Sequence, residues 1–289
     1  MTYHVQFPAL GLEFTVNRVA FSIFGLNIYW YGVIITLGIV LCVMLGLKLG
    51  KYYKLNEDDF IDVIMVSAFL GIVCARVYYV IFAPFKYESL LDMINIRDGG
   101  LAIYGGIIGG FLFGYLACKW KKFDFLTVAD IAATCFPLGQ AIGRWGNFVN
   151  QEAFGTNTTS IFGMISEGTT RYLQSVSGKL ASQGIIVDPS MPVHPTFLYE
   201  SVWCIIGFVL LLLHIKKKNF KGENLCLYVF WYGLGRFFIE GLRTDSLETF
   251  GGLRMSQLVA LVSVVVSLGI LIYMNIKIKK EKSKNLQIS

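Results

Sequence analysis

The chain has 289 residues, of which 55% are hydrophobic and only 15% charged, and its mean hydropathy of +0.61 is too apolar for a surface solvated by water. Lipid must solvate it. The formal net charge of +6 would suggest nucleic acid in a soluble chain, but here the lysines sit in short clusters between apolar runs, as topology signals, and no nucleic-acid role follows.

A helix needs about 20 predominantly apolar residues to cross the hydrocarbon core. Runs at 25–47, 60–82, 101–118, 127–145, 196–214, 225–241 and 255–276 therefore predict an all-α integral membrane protein, a bundle of seven transmembrane helices in one domain over 1–289. The first run has no basic stretch before it and no small-residue cleavage site, so it reads as a retained span. In the third, Gly106, Gly110 and Gly114 form a small-xxx-small stripe suited to close helix contact. The fourth is interrupted by Pro137, Gly139 and Gly143, and Thr127-Val-Ala-Asp130 reads as a capping box at its start. The fifth opens at His194-Pro195-Thr196, with the proline in the first turn and His194 either capping the helix or serving a site.

The loops alternate in charge: 15 lysines lie in 48–59, 119–126, 215–224 and 277–289, against 7 Lys or Arg in the other extramembrane segments. The positive-inside rule makes the first set cytoplasmic. An odd number of spans then puts the N-terminus outside, leaves 146–195 as an extracytoplasmic head and makes 277–289 a basic cytoplasmic tail. The six cysteines lie in or beside apolar runs with no CxxC spacing, and the three histidines form no HExxH, so neither a disulfide framework nor a metal or other cofactor is expected.

Orientation fixes depth. Arg236 lies twelve residues past Asn224, about 18 Å up from the cytoplasmic side. Arg76, Arg144, Tyr31 and Tyr104 likewise fall in the outer half of the bilayer. A charged side chain at the centre of a membrane helix costs about 2.5–3.5 kcal/mol, so it normally has a partner or a function. Tyr232, Arg236, Glu240 and Arg243, at steps of 4, 4 and 3, share one helical face. At the end of the fourth span, Arg144 is followed by Asn147, Asn150, Glu152 and Gly155, a polar density that suits packing poorly.

These segments resemble a known family. W-Y-G at 30–32, Y-G-G-I-I-G at 104–109, G-R-W-G-N-F-V-N-Q-E-A-F-G at 143–155, H-P-T-F-L-Y-E at 194–200 and Y-G-L-G-R-F-F-I-E-G-L-R at 232–243 are similar to those of the bacterial prolipoprotein diacylglyceryl transferases, and the 143–155 segment is the most specific. The resemblance implies transfer of a diacylglyceryl group from phosphatidylglycerol to the lipobox cysteine of a prolipoprotein signal peptide, in the bacterial cell membrane and toward the extracytoplasmic leaflet. The product would be a thioether, with glycerol phosphate released. Arg144 and Arg236 match the family's essential arginines, whose planar guanidinium forks suit a leaving phosphate. Asn147, Glu152 and Gly155 map onto the signature, Tyr31 onto the first-span tyrosine, and Tyr232, Glu240 and Arg243 onto the span-six face. Tyr104 stands where many members carry histidine, and Glu240, Glu152, Glu200 and His194 remain open as the base that ionises the thiol. Arg76 reads equally as a snorkelling or ion-paired residue and as part of the site. The competing class is an anionic-lipid transporter, for which buried arginines would line a route; no repeat between halves supports it.

Overall fold

The computed structural model describes residues 2–85, 87, 89–96, 99–182, 184–243 and 254–288, with the side chains at 179 and 286–288 also outside the description. The chain divides into two compact units, Met44–Ile131 and Met1–Val43 with Ala132–Ser289.

It is mostly helical, and among the described residues six helices are long and apolar enough to cross a membrane: α1 (Trp30–Tyr52), α2 (Glu57–Ile81), α4 (Ile103–Trp120), α5 (Phe125–Asn150), α7 (Thr196–His214) and the apolar part of α9 (Met255–Ile288). Shorter helices α3 (Leu90–Ile94) and α6 (Glu167–Ser182) lie between them. A further helix, α8 (Glu223–Glu240), matches the run expected at 225–241 but carries Glu223, Arg236 and Glu240. Large apolar side chains such as Leu37, Phe69 and Val265 are exposed along these helices, the inversion expected where lipid takes the place of water.

Two boundaries differ from the sequence expectation. Asp124 caps α5 by accepting from Thr127 N at 2.9 Å and Thr127 Oγ1 at 2.8 Å, so the helix starts three residues before the expected capping box. At its far end α5 runs on to Asn150, which places Arg144 and Asn147 on its last turns and not in an exit loop. The expected basic tail continues α9 to Ile288, while Ser289 lies outside the described residues.

Strands are the larger departure from an all-α expectation. β1 (Thr2–Phe7) pairs antiparallel with β2 (Leu12–Asn17) and with β5 (Ile165–Ser166), in the order β2-β1-β5, and β3 (Val19–Ile23) forms a hairpin with β4 (Leu26–Tyr29). Tyr3, Val5 and Phe7 alternate inward with period two. They join Phe148, Met164, Leu173, Val193 and Phe197 in an apolar core formed where the ends of α5 and α7 meet α6 and the sheet. This pattern is too short to register against the long apolar runs beside it.

In the 44–131 unit, α2 and α4 meet through glycine, and the tightest approaches fall beside the expected stripe, sharing only Gly114 with it. A Cβ on Gly105 would lie 2.5 Å from Tyr78 Cβ, and one on Gly109 2.7 Å from Cys74 Sγ, whereas Gly110 has nothing within 4 Å. Gly105 and Gly109 are therefore the seam. Gly114 belongs to it, 3.2 Å from Ser67 Oγ by the same measure. Gly106 lies beside Ala75 at an ordinary 3.6 Å.

Candidate active site

The last turns of α5, the loop to Gly155, the start of α7 and the end of α8 bring the expected residues of the larger unit together. Glu200, on the first turns of α7, is the hub. Arg144 Nη2 pairs with its Oε2, and Arg236 Nη1 and Arg243 Nη1 each lie 3.7 Å from its Oε1. Arg236 Nη2 also meets Glu240 Oε2 at 2.5 Å, one helical turn on along α8. Glu200 and Glu240 are buried, with side chains 6% and 4% exposed, while Arg144 and Arg236 keep 19% and 23% of theirs accessible.

Three guanidiniums against two carboxylates leave an excess positive charge in a buried setting, which suits an anionic ligand. At 3.7 Å neither guanidinium hydrogen-bonds Glu200 Oε1, and among the described residues this buried oxygen has no donor. Tyr232 lies within electrostatic reach of Arg236, Arg144 and Glu200, and its ring stacks on Tyr228 at 5.8 Å.

The 143–155 motif accounts for itself residue by residue. Gly146 leaves room for the Tyr31 ring, which a Cβ would approach to 2.7 Å. Trp145 Nε1 donates to Ser201 Oγ at 3.2 Å, tying α5 to α7 beside Glu200. Asn147 accepts from Arg144 Nη1 at 3.4 Å and donates to Glu152 Oε1 at 3.0 Å, so Glu152 reaches the arginine through an amide. Asn150 donates to the same oxygen at 3.3 Å and accepts from Arg18 Nε at 3.2 Å. The chain reverses here through positive φ at Gln151 (55°) and Ala153 (56°).

Gly155 is a crossing point. Its N–H donates to His194 O at 2.9 Å, and the next N–H, of Thr156, donates to Leu242 O at 2.8 Å. A Cβ at Gly155 would sit 2.6 Å from Leu242 O and 2.7 Å from His194 Cβ. Only glycine lets the loop lie against both strands of chain, and the contact holds Arg243 beside Glu200.

His194 does not cap α7; Pro195 occupies the N-cap without a side-chain bond, and the His194 ring faces Tyr199 OH at 3.3 Å. Burial holds the imidazole below its ordinary pKa, so it is neutral at neutral pH. Arg76 and Tyr104 belong to the 44–131 unit. The Arg76 guanidinium donates to the carbonyls of Asp92 (2.7 Å), Met93 (2.8 Å), Gly99 (3.0 Å) and Gly100 (2.8 Å), which ties the α3 segment to α2. Tyr104 is 47% exposed on the first turn of α4.

Arg18, Ser201 and Arg254 are contributors that the sequence reading missed, while Asn150 stood in the polar cluster without an assigned role. Arg254, which donates to the Glu240 carbonyl, offered no local signal.

The family model described as prolipoprotein diacylglyceryl transferase matches residues 18–273. The chain is 45% identical over 265 residues to the phosphatidylglycerol–prolipoprotein diacylglyceryl transferase of Clostridium novyi, covering 91% of this chain and 98% of the relative. To the enzyme of the same name from Clostridioides difficile it is 40% identical over 270 residues, 93% of this chain and 100% of the relative. The relative from Staphylococcus haemolyticus is 41% identical over 263 residues, 91% of this chain and 89% of its own length. With the match spanning α1 to α9 and taking in every arginine of the cluster, the chain belongs to the prolipoprotein diacylglyceryl transferase family.

Proposed function

We propose that this chain is a transferase that moves the diacylglyceryl group of phosphatidylglycerol onto the thiol of a lipobox cysteine in a prolipoprotein signal peptide, the first step of bacterial lipoprotein maturation. The observation that carries it is the convergence of Arg144, Arg236 and Arg243 on Glu200 in a chain of this family.

The reaction breaks the bond between the glyceryl carbon and the phosphate oxygen and forms a carbon–sulfur bond. The electron pair leaves with glycerol phosphate, whose added charge falls to Arg144 and Arg236. Both keep part of the side chain accessible, and a guanidinium offers two parallel donors to phosphate. The same positive field favours the thiolate nucleophile. Glu200 Oε1, buried without a donor, receives the thiol proton. Asn147, Glu152 and Gly155 hold Arg144 and Arg243 in place, Tyr232 flanks the arginines, Tyr31 seats on Gly146 two residues past Arg144, and Arg243 adds to the field. Glu240 orients Arg236. Tyr104 serves the lipid head group as a hydrogen-bond donor, through its phenol O–H. Arg76 is committed to backbone carbonyls, so its part is to hold the α3 segment.

In the bilayer of the bacterial cell membrane we take α8 as a seventh span, with Arg236 and Glu240 paired within the cluster, the N-terminus and the 146–195 head outside, the C-terminus in the cytoplasm and the arginines toward the outer leaflet. The test is incubation of the detergent-purified protein with phosphatidylglycerol and a lipobox peptide. Mass spectrometry should find a diacylglyceryl thioether on the cysteine peptide and none on its serine counterpart; unmodified cysteine peptide would refute the reading.

A further inference from the structure

Three residues along α7 from Glu200, the helix is joined to α8 by a reciprocal contact outside the charged cluster. The rings of Trp203 and Trp231 stack with centroids 4.3 Å apart and planes 15° from parallel. Trp203 Nε1 donates to Trp231 O at 3.0 Å, and Trp231 Nε1 donates to Trp203 O at 2.9 Å. Four residues after each tryptophan stands a glycine, Gly207 on α7 and Gly235 on α8. A Cβ at Gly207 would fall on Trp231, 3.3 Å from its Cγ and nearer still to Nε1; one at Gly235 would fall on Trp203, 2.8 Å from Cε2. The pattern W-x-x-x-G thus occurs on both helices, with each ring seated on the other helix's glycine.

Such a contact admits one register. Sliding one helix by a single residue, about 1.5 Å, would lift each ring off its glycine and strand two indole N–H groups without partners. Arg236 follows Gly235 directly and moves with that seat. The register that closes the tryptophan pair is also the register in which Arg236 Nη1 and Arg243 Nη1 stand 3.7 Å from Glu200.

We propose that Trp203 and Trp231, seated on Gly235 and Gly207, are positioning residues for the transfer: they lock α7 against α8 so that Arg236 is set for the leaving phosphate. The inference rests on the reading of Arg236 as a phosphate ligand.

The test is a double-mutant cycle on purified protein with phosphatidylglycerol and a lipobox peptide. Trp203→Phe and Trp231→Phe keep a ring but lose the indole donor, and each should lower kcat about tenfold, with KM for the lipid changed less than about twofold. Combining either with Arg236→Lys should lower kcat little further than Arg236→Lys alone, because both act through one guanidinium. Gly207→Ala provides an independent arm, forcing the rings apart from the other side, and should show the same non-additivity. Full multiplication of the losses, or Phe variants with wild-type kcat, would overturn the positioning role. If the wild type makes no thioether, the function reading itself has failed, which the cycle separates from failure of the lock.

Discussion

Glu200 shows most clearly how one residue organises this chain. It is buried at the meeting point of three guanidiniums, and removing one partner of a buried charged group costs about 3–5 kcal/mol because the others are left uncompensated. Glu200→Gln should therefore lower the thermal midpoint of the detergent-solubilised protein by several degrees and abolish most transfer. Glu152→Gln, at a carboxylate held by two amides near the surface, should leave the midpoint within about a degree. Equal melting of the two variants would show that Glu200 does not carry the cluster. The arginines were legible in the sequence because a charge inside an apolar run stands out by its cost. Glu200 was only one of several carboxylates until the fold brought it to Arg144, 56 residues earlier in the chain, and Arg236, 36 residues later, since ion pairs between helices leave no periodic trace.

At the scale of elements, helices were legible and faces were not. Helix lengths follow from hydropathy: six expected runs coincide within a few residues at most ends with α1, α2, α4, α5, α7 and α9, the six helices among the described residues that are long and apolar enough to cross a membrane, and the run at 225–241 coincides with the more polar α8. The α2 contact with α4 shows the limit: glycine spacing permits several stripes, and only packing selects Gly105 and Gly109 over Gly106 and Gly110. The two choices separate experimentally. Gly105→Val should reduce the level of folded protein in the membrane and destabilise it by about 1–3 kcal/mol or more, since the neighbouring backbone at Ala75 cannot move as a side chain would. Gly110→Val should be tolerated. Thermal inactivation of the two variants checks this, and comparable damage from both would contradict the assigned seam. The small sheets escaped the sequence reading because Thr2–Phe7 and Ile165–Ser166 pair across most of the chain, so β5 has no meaning until β1 is in place beside it.

For the whole molecule, the proposed orientation rests on lysine asymmetry, and with it the proposed side on which the lipid is taken. In a cysteine-free variant, Lys217→Cys should react with a membrane-impermeant thiol reagent only in opened cells, while Gln174→Cys, on exposed α6, should react in intact spheroplasts. The reverse pattern would place the arginines toward the cytoplasm. The central claim joins that site to a reaction: Arg144 and Arg236 recognise the phosphate that departs as the thioether forms. Lysine keeps the charge but loses the planar fork, so each replacement should cost at least about 1.4 kcal/mol of transition-state stabilisation, or about tenfold in rate. The most direct measurement is a single turnover of purified protein on phosphatidylglycerol labelled in its terminal glycerol, with thioether and released glycerol phosphate counted together. The two should appear in equal amounts in the wild type and fall together at least about tenfold in Arg144→Lys and Arg236→Lys; near-normal turnover in both variants, or lipid consumption without thioether, would contradict the account.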